Sequence, residues 1–178
     1  MDQWCRQLCR VIGLLVLSTT VACAQSKVDQ KLAKTDGMRW FSGGSFEVSC
    51  DATGVQGTQI LAVATTARKV DDAVRESRRN GVRAILFRGV ITNACKVDPL
   101  FRPADMTPTA DAYFDKFFAE GGQYLAYVEY VGDQIEARTA VGKDVRIETS
   151  VVINVQRLRT DLEQAGLIKS MSDIFRRP

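Results

Sequence analysis

The plainest pattern in the chain is an alternation near its C-terminal end. Across residues 145–156, Val145, Ile147, Thr149, Val151, Ile153 and Val155 fall on one face. Arg146, Glu148, Ser150, Asn154 and Gln156 take the other, with Val152 the one exception. A period of two predicts a strand with one face buried. Residues 124–131 and 135–141 have similar strand character. Gly132-Asp133 and Gly142-Lys143-Asp144 are the turn residues between the segments,. Together they predict a three-stranded antiparallel meander. Toward the N-terminus, 46–50 reads as a short strand, and 51–57 as a turn carrying Gly54 and Gly57. Residues 58–66 (TQILAVATT) form an apolar run suited to a strand buried on both faces,. These two strands should pair as a hairpin.

Between the two β regions the period changes. Over 68–87, Val70, Ala73, Val74, Ser77, Gly81, Ile85 and Leu86 recur at spacings of three and four, which predicts one long helix,. Ala73, Ser77 and Gly81 repeat every four residues, so a neighbouring element can approach closely. Glycine inside a helix costs about 1 kcal/mol relative to alanine, which implies a packing reason for Gly81. Asp71 and Asp72 lie near the helix start, where negative charge favours the helix dipole,. Arg75, Glu76, Arg78, Arg79 and Arg83 read as a solvated face, although such a row can also bind phosphate or lipid headgroups.

Residues 90–106 read as a loop containing Cys95, Pro99 and Pro103. Thr107-Pro108 predicts a helix cap followed by proline in the first turn. The short helix that follows carries Tyr113, Phe114, Phe117 and Phe118 and stops at Gly121-Gly122,. Aromatics at helical spacing suit core packing better than a ligand box. Leu158 and Leu162 mark a closing helix that ends near Gly166. Leu167, Ile168, Met171, Ile174 and Phe175 form an apolar tail that must dock on the body or contact a partner.

The fold expected is α+β. An antiparallel sheet, made of the N-terminal hairpin and the meander, is packed by one long helix and short helices.

The first residues are of another kind. Arg6 and Arg10 precede the apolar run VIGLLVL at 11–17, followed by Ser18-Thr19-Thr20 and then Ala22-Cys23-Ala24. This is the layout of an export signal with a small-residue cleavage site. The run is shorter than the roughly 20 apolar residues a membrane span needs. Cleavage is expected between Ala24 and Gln25. Thr20-Val21-Ala22-Cys23 also loosely matches a bacterial lipobox, with Thr20 where leucine is usual, so Cys23 is a candidate lipidation site. The expected domain plan is a signal over 1–24, a flexible polar stem over 25–39, and one domain over 40–178.

Export changes the reading of the cysteines. Of the five in the chain, Cys5, Cys9 and Cys23 belong to the signal. Cys50 and Cys95 remain, and an oxidising compartment suggests that they form a disulfide. Two buried free thiols are the alternative. The chain has no histidine, and its formal net charge is only +3. Histidine-based nucleophile pairs and histidine metal ligands are thereby excluded. Near-neutral charge gives no case for nucleic acid. No metal motif, phosphate loop or dinucleotide fingerprint occurs, so no cofactor is expected. A hydrolase using paired carboxylates on envelope material remains open.

The segment DDAVRESRRNGVRAILFRGV resembles the helix-into-buried-strand core of a family of small exported proteins of Gram-negative envelopes. YFDKFFAEGGQYLAYV and VVINVQRLRTDLEQAGLI resemble the rest of that family, over about residues 40 to 170. The layout is remotely similar to the α+β domain of flagellar-assembly and curli-secretion lipoproteins. It is also remotely similar to the N-terminal domain of the Tol-system propeller protein. The export signal predicts a periplasmic or outer-membrane-associated protein; the resemblance carries over no catalytic residues, and the expected action is binding to an envelope protein partner. Its contact with a membrane would be only through a lipid on Cys23. A small-ligand binder with a pocket under the aromatic helix is the other alternative.

Overall fold

The computed structural model describes residues 38–42, 46–55, 57–92 and 95–170. These build β1 (Phe46–Thr53), β2 (Thr58–Ala67), α1 (Val70–Arg83), β3 (Val90–Ile91) and β4 (Lys96–Val97). They continue with α2 (Pro108–Phe117), β5 (Val128–Val141), β6 (Asp144–Asn154) and α3 (Val155–Gln164). The main sheet is antiparallel in the order β1-β2-β6-β5, and β3 and β4 make a separate two-stranded ribbon. The architecture is α+β. The two most apolar strands are central. Leu61 and Val63 of β2 and Ile147 and Ile153 of β6 are fully buried.

Helix α1 lies across β2 and β6 and buries Ala73, Ser77, Asn80, Gly81 and Val82. The small-residue track faces the sheet as expected. A Cβ built on Gly81 would stand 3.0 Å from Val151 Cγ2. That is the physical reason for glycine in mid-helix. The interface also contains polar groups that periodicity did not reveal. Asn80 Nδ2 donates to Thr65 Oγ1 at 3.3 Å, and the Ser77 hydroxyl donates to the Ala73 carbonyl at 2.8 Å.

The long helix is not uniform to its end. After Arg83 it widens into a π turn, Ala84–Arg88, closed by Gly89 at φ 72°. The Gly89 N–H donates to the Ala84 carbonyl at 2.8 Å. Four consecutive residues, Ala84 to Phe87, are buried there. The N–H groups of Leu100 and Phe101 donate to the carbonyls of Ile85 and Leu86, at 3.2 and 2.8 Å. A returning segment thus satisfies the carbonyls of the widened turn.

The C-terminal region differs from the expected meander in its number of strands. Residues 123–127 form a 3-10 turn, which places Tyr124 and Tyr127 in the core together. A period of three buries both rings, whereas a strand would have turned one of them outward. β5 then runs through Gly132-Asp133 without a turn. Register shifts between Tyr130 and Ile135, and between Ile135 and Ala137, take up the irregularity,. Two strands and one hairpin therefore replace three strands. Val155 is not on the core face of β6, because α3 begins there. The Asn154 side chain caps that helix by accepting the Arg157 N–H at 2.9 Å,. The segment read as a loop over 90–106 contains the β3–β4 ribbon and a 3-10 turn at Pro103–Asp105.

Thr107 caps α2 as expected, its hydroxyl accepting the Ala110 N–H at 3.1 Å. Phe114, Phe117 and Phe118 are buried. Phe87 meets Phe114 edge-on at 4.9 Å, Phe101 meets Phe114 at 5.1 Å, and Trp40 stacks on Phe118 at 5.4 Å. These rings are core. Trp40 is held by its indole N–H, which donates to Asp111 Oδ1 at 2.7 Å. Arg39 bridges Asp111 and Asp115 at 3.0 and 2.7 Å.

Cys50 and Cys95 are disulfide-bonded, with Cα atoms 5.9 Å apart. The bond fastens the β3–β4 ribbon to β1. Thr92 adds a hydrogen bond from its hydroxyl to the Cys50 carbonyl at 3.1 Å.

Two stability measurements follow from this packing. Gly81→Leu should lower stability by roughly 1–3 kcal/mol through overpacking against Val151, read as a lower urea midpoint. Replacing both Cys50 and Cys95 by serine should lower it by up to roughly 4 kcal/mol, because the bond closes a long loop in the unfolded chain. Reductant should lower the midpoint of the wild type and leave that of the double variant unchanged.

Candidate functional site

An open groove with varied polar chemistry lies beside the start of α3. Leu158 and Leu162 turn one face of the helix into the core. The helix ends in a paired turn. The Leu167 N–H reaches the Leu162 carbonyl at 3.0 Å, and the Gly166 N–H reaches that of Glu163 at 3.0 Å, with Gly166 at φ 69°,. This reversal carries Leu167 and Ile168 back onto the core. The opposite face is left to Gln156, Arg157, Thr160 and Asp161. With Asn154 they line an open groove of about 570 Å³.

Tyr127 is joined to one of the groove's lining residues. The Tyr127 hydroxyl donates to Asp161 Oδ2 at 2.8 Å. The Arg157 guanidinium sits 5.7 Å from the Tyr127 ring centre and donates to the Ala126 carbonyl at 3.3 Å. Burial raises the Tyr127 pKa far above its ordinary value, and its hydrogen bond to Asp161 and that carboxylate's charge add to the shift. Burial, and then the charge of Asp161, raise Tyr113 as well. Both phenols therefore keep their protons. They are suited to donating hydrogen bonds and unsuited to abstracting protons. The groove offers hydroxyl, amide, guanidinium and carboxylate groups to a polar ligand.

The arginine row of α1 is less solvated than its spacing suggested. Arg83 is half-buried, with its guanidinium 5.9 Å from the Trp40 ring and 6.0 Å from the Phe46 ring. Burial lowers its pKa and the charge of Arg79 lowers it further, while Glu76 opposes them. Arg83 Nη2 donates to the Arg39 carbonyl at 3.3 Å. Arg79 pairs with Glu76 at 2.6 Å and lies over Tyr124, and Arg75 pairs with Asp72. These cations are engaged in packing and ion pairs. For Arg39, burial pulls the pKa down, but Asp115 and Asp111 outweigh it and the net shift is upward.

Among the residues expected to carry function, Cys50 and Cys95 are brought together. Leu167 and Ile168 are half-buried against the protein's own core. Cys23, Met171, Ile174 and Phe175 lie outside the described residues. Sequence reasoning missed Tyr127, Arg157, Thr160 and Asp161. The one available signal was the polar face of the closing helix, where Arg157, Thr160 and Asp161 recur at spacings of three and four. Among the described residues, no cluster of three or more Cys, Asp or Glu side chains could hold a metal ion, and no helix is long and apolar enough to cross a membrane. No family model, curated protein or solved structure shows a significant match to the chain.

The tyrosine shifts make a spectroscopic prediction. In an alkaline titration followed by phenolate absorbance, Tyr113 and Tyr127 should ionise above the ordinary tyrosine value of 10.0. Because folding raises these pKa values, their contribution to stability is complete below the unfolded value. It is lost as pH rises from there through the folded value. Tyr127→Phe should remove the later transition and cost about 1 kcal/mol at neutral pH, the worth of one hydrogen bond. An unchanged titration curve in that variant would exclude the assignment.

Proposed function

We propose that the chain is an exported, non-enzymatic cell-envelope protein that acts by binding, as an assembly or accessory factor of a surface complex. The observation that carries the binding part is the groove on α3. It presents the polar groups of Asn154, Gln156, Arg157, Thr160 and Asp161, with the Asp161 carboxylate held by the Tyr127 hydroxyl. Export rests on the Arg6/Arg10, VIGLLVL and Ala22-Cys23-Ala24 sequence. The resemblance to small exported proteins of Gram-negative envelopes points the same way. The protein would face the periplasm, either free from Gln25 or anchored by a lipid on Cys23.

The alternatives have less support. A ligand pocket under the aromatic helix would need space that Phe87, Phe101, Phe114 and Phe118 occupy with their own contacts. The carboxylates of Asp111 and Asp115 do approach one another, but Arg39 sits between them as a shared ion-pair partner. That arrangement suits a clamp for the segment around Trp40 better than glycoside or peptide hydrolysis.

Mass spectrometry of the mature N-terminus in fractionated cells tests export. A chain starting at Gln25, or a lipidated Cys23, is the expected result, and an intact Met1 would refute it. For the groove, Arg157→Ala combined with Thr160→Ala should reduce recovery of an envelope partner about tenfold, the effect of losing about 1.4 kcal/mol. Unchanged recovery from a folded double variant would remove the groove from the binding site.

A further inference from the structure

The two edges of the main sheet are treated differently. The β3–β4 ribbon, held by the Cys50–Cys95 bond, lies along β1. β5 is the other edge, and no described strand pairs with its outer side. Residues 136–144 are all exposed, including Val141 at 48%. An open strand edge is a template for another strand.

The hairpin loop determines which backbone groups that edge presents. Gly142 and Lys143 form a two-residue loop with Val141 opposite Asp144. A loop of this length closes on a hydrogen-bonded pair, and bonding then alternates along the ladder. The backbone groups of Val141 and Thr139 therefore turn toward β6. Those of Ala140 and Arg138 turn outward.

We propose that β5 pairs antiparallel with β5 of a second copy of this chain, about a two-fold axis at Thr139. The axis is normal to the sheet, so Thr139 meets itself and Arg138 lies opposite Ala140 of the second copy. The outward backbone groups of these two exchange hydrogen bonds. Ala137 lies opposite Val141 of the second copy and covers that exposed side chain. Charge and regularity select this register. An axis at Arg138 would set two guanidinium groups directly opposite each other, which is destabilising. An axis at Ala137 would draw the register shift between Ile135 and Ala137 into the ladder. An axis at Ala140 would run Ala137 into Lys143 of the loop. Pairing about Thr139 uses only the regular residues 137–141 and opposes no like charges. The interface is small and belongs to the weak, transient class. The two-fold closes it, so this pairing gives a dimer and not a filament.

Sedimentation equilibrium of the purified exported protein, from micromolar to millimolar concentration, tests the pairing. The wild type should be a reversible dimer at the upper end. Thr139→Lys and Thr139→Glu should each weaken dimerisation at least tenfold, because like charges then face each other on the axis. Circular dichroism should be unchanged, since Thr139 is exposed. An equimolar mixture of these two variants should associate again. Thr139→Cys should yield a covalent dimer on mild oxidation, with peptide mapping placing the bond between the two copies at position 139. Ala140→Cys should not, because its counterpart is displaced along the ladder beyond disulfide reach. A protein monomeric to millimolar concentration, charge variants that dimerise like the wild type, or equal cross-linking at positions 139 and 140 would each overturn the proposal.

Discussion

The rest of the fold depends on how closely α1 approaches β2 and β6. Ala73, Ser77 and Gly81 leave little side chain between helix and sheet, and Val151 lies where a Cβ on Gly81 would intrude. Close approach brings buried polar groups together as well as apolar ones. Asn80 and Ser77 find partners in Thr65 and in the helix's own backbone. Unpaired, such groups would each cost on the order of 1–3 kcal/mol. The helix therefore has a preferred axial position as well as a preferred face. From that position its C-terminal extension reaches the aromatic cluster.

The cluster and the disulfide secure the parts of the chain that the sheet does not order. Trp40 is fixed by Asp111 and by rings from α2 and the π turn. The widened turn at Ala84–Arg88 buries four residues in succession and accepts backbone hydrogen bonds from Leu100 and Phe101. Between these contacts the long connection from α1 to α2 is held at both ends. The Cys50–Cys95 bond anchors its middle to β1. Mutual support of this kind holds a segment with little regular structure against β1.

Helix α3 shows how a structural device leaves a usable surface. Its terminal turn sends Leu167 and Ile168 back against the core, so the apolar side of the helix and the residues just after it are engaged in packing. The polar side remains open to the groove. Asp161 links the two roles: it accepts the Tyr127 hydrogen bond on one side and lines the groove on the other. The tyrosine's bond aligns the carboxylate, and burial of the phenol keeps the proton in place.

Local pattern was sufficient where one period governed a segment. The hairpin of β1 and β2, the face of α1, the Thr107 cap and the core face of β6 up to Ile153 were all legible in the residues. Each depends on spacing within a few turns or a single strand. Cys50 and Cys95 were legible as the two cysteines that lie beyond residues 1–24. Other features needed the third dimension. Gly132-Asp133 has turn chemistry, yet β5 pairs with β6 on both sides of it, with Tyr130 opposite Val151, Ile135 opposite Thr149, and a register shift between. Tyr124 and Tyr127 look like strand residues until the aromatic cluster demands both rings. Val155 has the parity of the core face, but Asn154 can cap a helix, and Leu158 and Leu162 have a core to enter. The groove was least legible. Tyr127 and Asp161 are far apart in sequence, and only packing of α3 beside the 3-10 turn puts the hydroxyl within reach of the carboxylate. Sequence determines which local structures are affordable, and tertiary contact selects among them because burial and backbone pairing outweigh the small differences in local propensity.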